Sequence, residues 1–125
     1  MKIFLLFTIS LMTLIQSVYA GPIIYVCTFD SFSTKQGNQK VKEEFKISFL
    51  VDETNEQYYI IGNNGSEKVK YIPHYQAGIA FIEITQSGNV ITTAIDKEMN
   101  SVHSRNLSLA GILAPSQYYG SCVIK

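Results

Sequence analysis

The feature that most constrains this chain is the period of its hydrophobic pattern. From Pro22 onward apolar residues recur at every second position, and most of them are β-branched or aromatic. A period of two is that of a half-buried strand, and no stretch carries the 3.6-residue period of an amphipathic helix. The pattern predicts eight strands: Ile23–Phe29, Glu43–Val51, Gln57–Gly62, Ser66–Ile72, Gly78–Gln86, Val90–Asp96, Ser101–Ser108 and Gln117–Ile124. The polar stretch Ser31–Lys42 is expected to be the longest loop.

Strands joined in sequence by short turns form a meander, and an even number sets the first and last antiparallel, so that they can pair and close the sheet. The expectation is an all-β fold, a small eight-stranded antiparallel up-and-down barrel, with a β-sandwich as the alternative; either shortens the open edges that aggregate. Cys27 and Cys122 lie near the two ends of this strand set, and an even pair in a small exported domain reads as a disulfide that staples the seam. Closing a loop of about 95 residues would remove roughly 4–5 kcal/mol of unfolded-state entropy in the chain-entropy model.

Export is inferred from residues 1–20. Lys2 supplies a positive start, Ile3 to Leu14 form an apolar run, and Val18-Tyr19-Ala20 places small or aliphatic residues where a signal peptidase reads. Cleavage after Ala20 would leave one barrel domain over residues 21–125, with a net charge of about −1. The apolar run is short for a membrane span, no basic cluster follows it and no cysteine marks a lipid attachment point, so no stable membrane anchor is expected. The compartment is periplasmic or secreted, and the low-Trp, Ile/Lys/Asn-leaning composition reads as bacterial. Ten basic residues against ten acidic ones, with no basic run, argue against nucleic acid as a partner.

Two turns suggest a register. Asn64-Gly65, read as a two-residue hairpin turn, would pair Ile60 with Val69 and Tyr58 with Tyr71, putting those four inward and Tyr59, Ile61, Lys68 and Lys70 outward. Gly88-Asn89, read in the same way, would pair Ile84 with Thr93 and Ile82 with Ile95 toward the core. Phe81, Glu83, Thr85, Val90, Thr92 and Asp96 would then look outward or toward a second layer.

Enzyme templates fail in turn. There is no G-x-S-x-G elbow, H-E-x-x-H pair, G-x-G-x-x-G or phosphate loop, so no catalytic residues and no cofactor are assigned. His74, His103 and Glu83 could in arithmetic form a two-His, one-carboxylate site, but no ligand spacing favours a metal. Asn64-Gly-Ser66 and Asn106-Leu-Ser108 match the glycosylation pattern, on a tight turn and a strand.

Two polar segments stand out. In Ser101-Val102-His103-Ser104-Arg105-Asn106, His103 and Arg105 share one strand face, about 7 Å apart. They read as an anion-binding patch, as a solvated outer face, or with Arg105 as a structural group that pairs with Glu83 or caps a barrel end. In Pro115-Ser116-Gln117-Tyr118-Tyr119-Gly120-Ser121-Cys122, Tyr118, Gly120 and Cys122 share a face. Gly120 there permits a close backbone approach at the seam, while Tyr119 could join Tyr75 and the Gly111-Ile112-Leu113 loop in an exposed contact surface.

Across Ser87-Gly-Asn-Val-Ile-Thr-Thr, Ser101-Val-His-Ser-Arg and Pro115-Ser-Gln-Tyr-Tyr-Gly-Ser-Cys122, roughly the last forty residues, the chain resembles a group of small exported bacterial proteins of uncharacterised function. In layout it is also similar to the periplasmic or membrane-bound inhibitors of C-type lysozyme, small eight-stranded barrels closed by a disulfide. Tyr25-Val26-Cys27 matches that family's Y-x-C start and Ser87-Gly88 the beginning of its S-G-x-x-Y loop, with Ile91 where the family has tyrosine.

The resulting expectation is a non-enzymatic binding module that acts on another macromolecule, with a hydrolase as the target the resemblance implies. Ser87, Gly88, Asn89, His103, Arg105, Tyr118 and Tyr119 are the candidate binding residues. The alternative is a carrier of one small ligand inside the barrel, lined by Tyr58, Ile60, Tyr71, Ile82 and Ile95. A third reading is an enzyme using His103 and Arg105 with a serine.

Overall fold

A computed structural model describes residues 21–125. The signal-peptide reading falls on residues 1–20, outside that range. Nine strands and no helix occur among the described residues: β1 Ile23–Thr34, β2 Gly37–Asp52, β3 Gln57–Gly62, β4 Gly65–Lys68, β5 Lys70–Pro73, β6 Ile79–Ile84, β7 Val90–Ile95, β8 Asn100–Leu109 and β9 Ile112–Ile124. All neighbours are antiparallel, in one sheet of order β4-β3-β2-β1-β9-β8-β7-β6-β5. The two end strands, β4 and β5, are consecutive in the chain and separated only by Val69, so the sheet curls into a nearly closed barrel. The expected strand over Ser66–Ile72 is therefore split. Its first half pairs with β3 and its second with β6, giving nine strands where eight were expected.

The first and last strands pair as expected, with Cys27 directly opposite Cys122 and the two joined by a disulfide, Cα to Cα 3.9 Å. Such a bond is compatible with an oxidising extracellular or periplasmic environment. Gly120, opposite Phe29, lies so close to β1 that a Cβ there would overlap the Thr28 carbonyl oxygen and sit 2.7 Å from the Phe29 Cα. That is the close backbone approach expected of it.

The Ser31–Lys42 loop is a correction. β1 and β2 run on to a two-residue turn, with Thr34 opposite Gly37, and residues 41–44 of β2 bulge against the single residue Asp30. β8 and β9 likewise reach a two-residue turn at Ala110-Gly111, both with positive φ (50° and 80°). These four long strands continue past the short ones as a flap above one end of the barrel, called here the mouth. The turns at residues 35–36, 63–64, 86–88 and 110–111 lie at the mouth; the other turns and both ends of the described chain lie at the base.

Register corrects both turn readings, with opposite consequences. Gly62 pairs with Gly65, so the β3–β4 turn is Asn63-Asn64 and Ile60 faces Glu67 rather than Val69. The displacement is two residues and preserves the faces. Tyr58, Ile60, Val69 and Tyr71 pack on the core, Tyr58 and Tyr71 stack at 4.8 Å, and Lys68 and Lys70 are exposed.

Between β6 and β7 the Gly88 N–H donates to the Thr85 carbonyl and the Thr85 N–H to the Asn89 carbonyl, both at 2.9 Å, with Gly88 at φ 86°. The loop is thus three residues, Gln86-Ser87-Gly88, with glycine in its left-handed position. Phe81 consequently faces Thr93 and Ile84 faces Val90, an odd displacement that turns β6 over. Ile79 and Phe81 enter the core, Ile84 is 72% exposed, and Glu83 joins the inward face. Thr93 and Ile95 stay inward as expected.

The interior is filled. Phe49 stacks on Phe81 at 4.1 Å, with Cys27, Phe29, Ile47, Val51, Ile79, Ile95 and Cys122 around them. Of the residues expected to line a ligand chamber, Tyr58 and Tyr71 stack on each other and Ile82, opposite the exposed Thr92, is turned outward.

Candidate functional site

The recess at the mouth follows from strand length. Lys70 opposite Ile82 is the last rung between β5 and β6. Beyond it β4 pairs only with β3, and the end of β6 only with β7, so the seam splits toward the mouth. Glu67 on β4 and Glu83 on β6 lie on its two lips. Inward alternation on the neighbouring strands adds Ile91, which faces Glu83 on one side and Arg105 on the other, and below them His103. The result is a cleft of about 390 Å³ walled by Phe45, Ile47 and Ile60 and carrying the side chains of Glu67, Glu83, His103 and Arg105. A second recess of about 410 Å³ under the flap shares Phe45 and Arg105 with it and adds Phe32 and Tyr118, whose rings stack at 5.1 Å.

His103 is 3% exposed. Its Nδ1 lies 2.7 Å from Thr93 Oγ1, and the rings of Phe29, Phe45 and Tyr118 surround it with centroids 5.5, 5.8 and 6.1 Å away. Burial, and then the positive charge of Arg105, push its pKa down to about 4, so the imidazole is neutral at neutral pH. Nε2 has no hydrogen-bond partner among the described residues. Since no fully buried side-chain nitrogen or oxygen among the described residues lacks one, Nε2 keeps solvent contact through the cleft that His103 lines.

Glu83 and Arg105 are half-buried. Burial raises the Glu83 pKa, the Glu67 charge raises it further, and Arg105 opposes both. Among the described residues no hydrogen bond or ion pair within 4.0 Å engages the side chains of Glu67, Glu83 or Arg105. Arg105 is therefore not the ion-pair partner of Glu83. It is close enough to bias that carboxyl and free to meet something else.

The seven candidate residues separate. His103 and Arg105 share a face as expected, but it is the inner face, where Tyr118 joins them. Ser87, Gly88 and Asn89 form the rim turn between β6 and β7. Its polar groups are largely used internally: Thr85 Oγ1 and Ser87 Oγ share a hydrogen bond at 3.0 Å, the Asn89 N–H donates to Thr85 Oγ1, and Asn89 Oδ1 accepts from the Ser108 N–H at 2.8 Å. Tyr119 points outward, its hydroxyl 3.3 Å from both Ser33 Oγ and Gln117 Oε1.

The wider surface proposed around Tyr119 is not assembled. Tyr75 is at the base, whereas Ile112 and Leu113 are at the mouth with Leu109, all more than 60% exposed. Glu67, Phe45 and the inward side of Glu83 were missed. The sequence signal that could have placed Glu83 inward is the length of the β6–β7 loop.

Among the described residues no group of three or more His, Cys, Asp and Glu side chains is placed to hold a metal ion, and no helix is long and apolar enough to cross a membrane. No protein family, no curated protein and no solved structure matches this chain.

Proposed function

We propose that this chain is an exported, non-enzymatic binding module, periplasmic or secreted, that engages another macromolecule through the mouth end of its barrel. The observation that carries the reading is the projecting β8–β9 tip. Beside the two-residue turn, Leu109 and Ile112 are 61% and 71% exposed on one face of the hairpin and Leu113 is 64% exposed on the other, and the Asn89–Ser108 hydrogen bond ties that hairpin to the Ser87-Gly88-Asn89 rim. Exposed aliphatic side chains grouped beside satisfied polar turns are the composition of a docking surface.

Two further points support a binding rather than a catalytic role. The hydroxyl nearest His103 belongs to Thr93, which is 2% exposed and lies beneath the imidazole, out of reach of a substrate. The barrel interior is packed with aromatic rings, which favours use of the surface over an enclosed ligand. A hydrolase remains the proposed target class, on the strength of the Y-x-C and Ser87-Gly88 likeness.

The test is binding of the mature, disulfide-intact chain to a panel of secreted hydrolases, C-type lysozyme first, by surface plasmon resonance and enzyme inhibition. Ile112→Ser with Leu113→Ser should weaken the complex at least about tenfold, as expected when central apolar anchors are removed. Unchanged affinity would remove the tip from the interface, and absence of binding across the panel would remove the hydrolase reading.

A further inference from the structure

Three polar groups meet in the mouth cleft without a partner among the described residues: the Arg105 guanidinium, the Glu83 carboxyl and Nε2 of His103, a residue 3% exposed. Half-buried charges and buried ring nitrogens lose hydration on folding, and proteins ordinarily compensate each with a hydrogen bond. Here the compensation is left to whatever occupies the cleft.

The charges are also sorted by sign. Glu83 and Arg105 are each directly opposite Ile91, on its two sides, which sets their backbones about 10 Å apart. Glu67 stands with Glu83 on the seam lips, while His103 stands with Arg105 on β8. One side of the cleft is thus anionic and the other donates hydrogen bonds, with Phe45 and Ile60 as apolar wall.

We propose that this cleft binds a small zwitterion of the α-amino-acid type, its ammonium taken by Glu67 and Glu83 and its carboxylate by Arg105 and the N–H of His103 Nε2. In this assignment the Thr93 hydroxyl, 2.7 Å from Nδ1, is the donor of that hydrogen bond, which leaves the ring proton on Nε2 to point into the cleft. A volume of about 390 Å³ is in the range of small-ligand sites and accommodates an amino acid with a large apolar side chain against Phe45. Selectivity comes from the opposed charges. An anion without an amine meets the two glutamates, and an amine without a carboxylate leaves Arg105 unpaired. This site is distinct from the macromolecular surface on the hairpin tip and does not depend on it.

The experiment is calorimetric titration of the mature, disulfide-intact protein with L-phenylalanine, 3-phenylpropionate and 2-phenylethylamine, which differ only in the charged groups they carry. L-phenylalanine should bind at least about tenfold more tightly than either analogue. Arg105→Gln and Glu83→Gln should each lose about tenfold or more, while Lys68→Gln on the outer face should change nothing. Nitrogen-15 shifts of His103 should report the Nε2–H tautomer. Equal affinity for the three compounds overturns the proposal, as does no binding of L-phenylalanine, L-leucine or L-lysine at about 10 mM, roughly the limit of a specific site. Should Arg105→Gln fail to fold, the comparison of the three compounds on the unaltered protein still decides.

Discussion

His103 carries a pH dependence of its own. Its folded pKa of about 4 lies below the ordinary value of 6.5, so between those values the unfolded chain binds a proton that the folded chain refuses. Stability is therefore full above about pH 6.5 and is lost as pH falls toward 4, by about 2 kcal/mol at pH 5. The shifted carboxyls add contributions that His103→Gln leaves in place. Glu83, whose pKa is raised, gains folded-state stability as it protonates, and Asp96, lowered first by its hydrogen bonds from Asn100, costs stability only at lower pH. Urea denaturation at pH 7.5 and pH 5 should show this loss in the natural chain and little of it in His103→Gln, whose amide can still meet Thr93 but does not titrate. An equal loss in both would mean that His103 is not the buried neutral group. The shared face of His103 and Arg105 was legible from their i, i+2 spacing. Which face is inner was not, because a histidine and an arginine on one strand look like a solvated surface until Phe29, Phe45 and Tyr118 are placed around them.

At the scale of elements, legibility depends on whether one face is buried. The strands that wrap the core announce themselves by alternation, whereas residues 30–42 are polar apart from Phe32 and Val41, too few and too far apart to show a period. Turn length is the other blind spot. Asn63-Asn64 for Asn64-Gly65 moves the register by an even number and costs nothing, but a three-residue loop for the two-residue Gly88-Asn89 turn inverts β6 and hides the cleft. The inversion is testable by a pair of substitutions. Phe81→Ala should destabilise by about 3–5 kcal/mol, the cost of emptying a filled aromatic site. Ile84→Thr, on the solvent face, should stay within about 0.5 kcal/mol. The reverse ranking by thermal or urea unfolding would restore the register expected from Gly88-Asn89.

The whole molecule is closed twice, and the two closures act on different states. Val69 joins β4 to β5 through the chain itself and persists in the unfolded protein as ordinary connectivity, so it leaves the sheet free to gape between β4 and the end of β6, beyond the last β5–β6 rung. The Cys27–Cys122 bond spans 95 residues of sequence but joins strands that already pair across most of β1, from Tyr25 opposite Ile124 to Ser33 opposite Gln117. The native seam therefore has its own hydrogen bonds, and in the chain-entropy account the covalent link acts mainly by shrinking the unfolded ensemble. The double variant Cys27→Ser, Cys122→Ser should accordingly still form the barrel, with its strand circular dichroism intact, and be less stable by about 4–5 kcal/mol. Its urea m-value should rise, because an unlinked chain exposes more surface when it unfolds. A variant with lower stability but an unchanged or smaller m-value would place the effect of the bond in the folded seam.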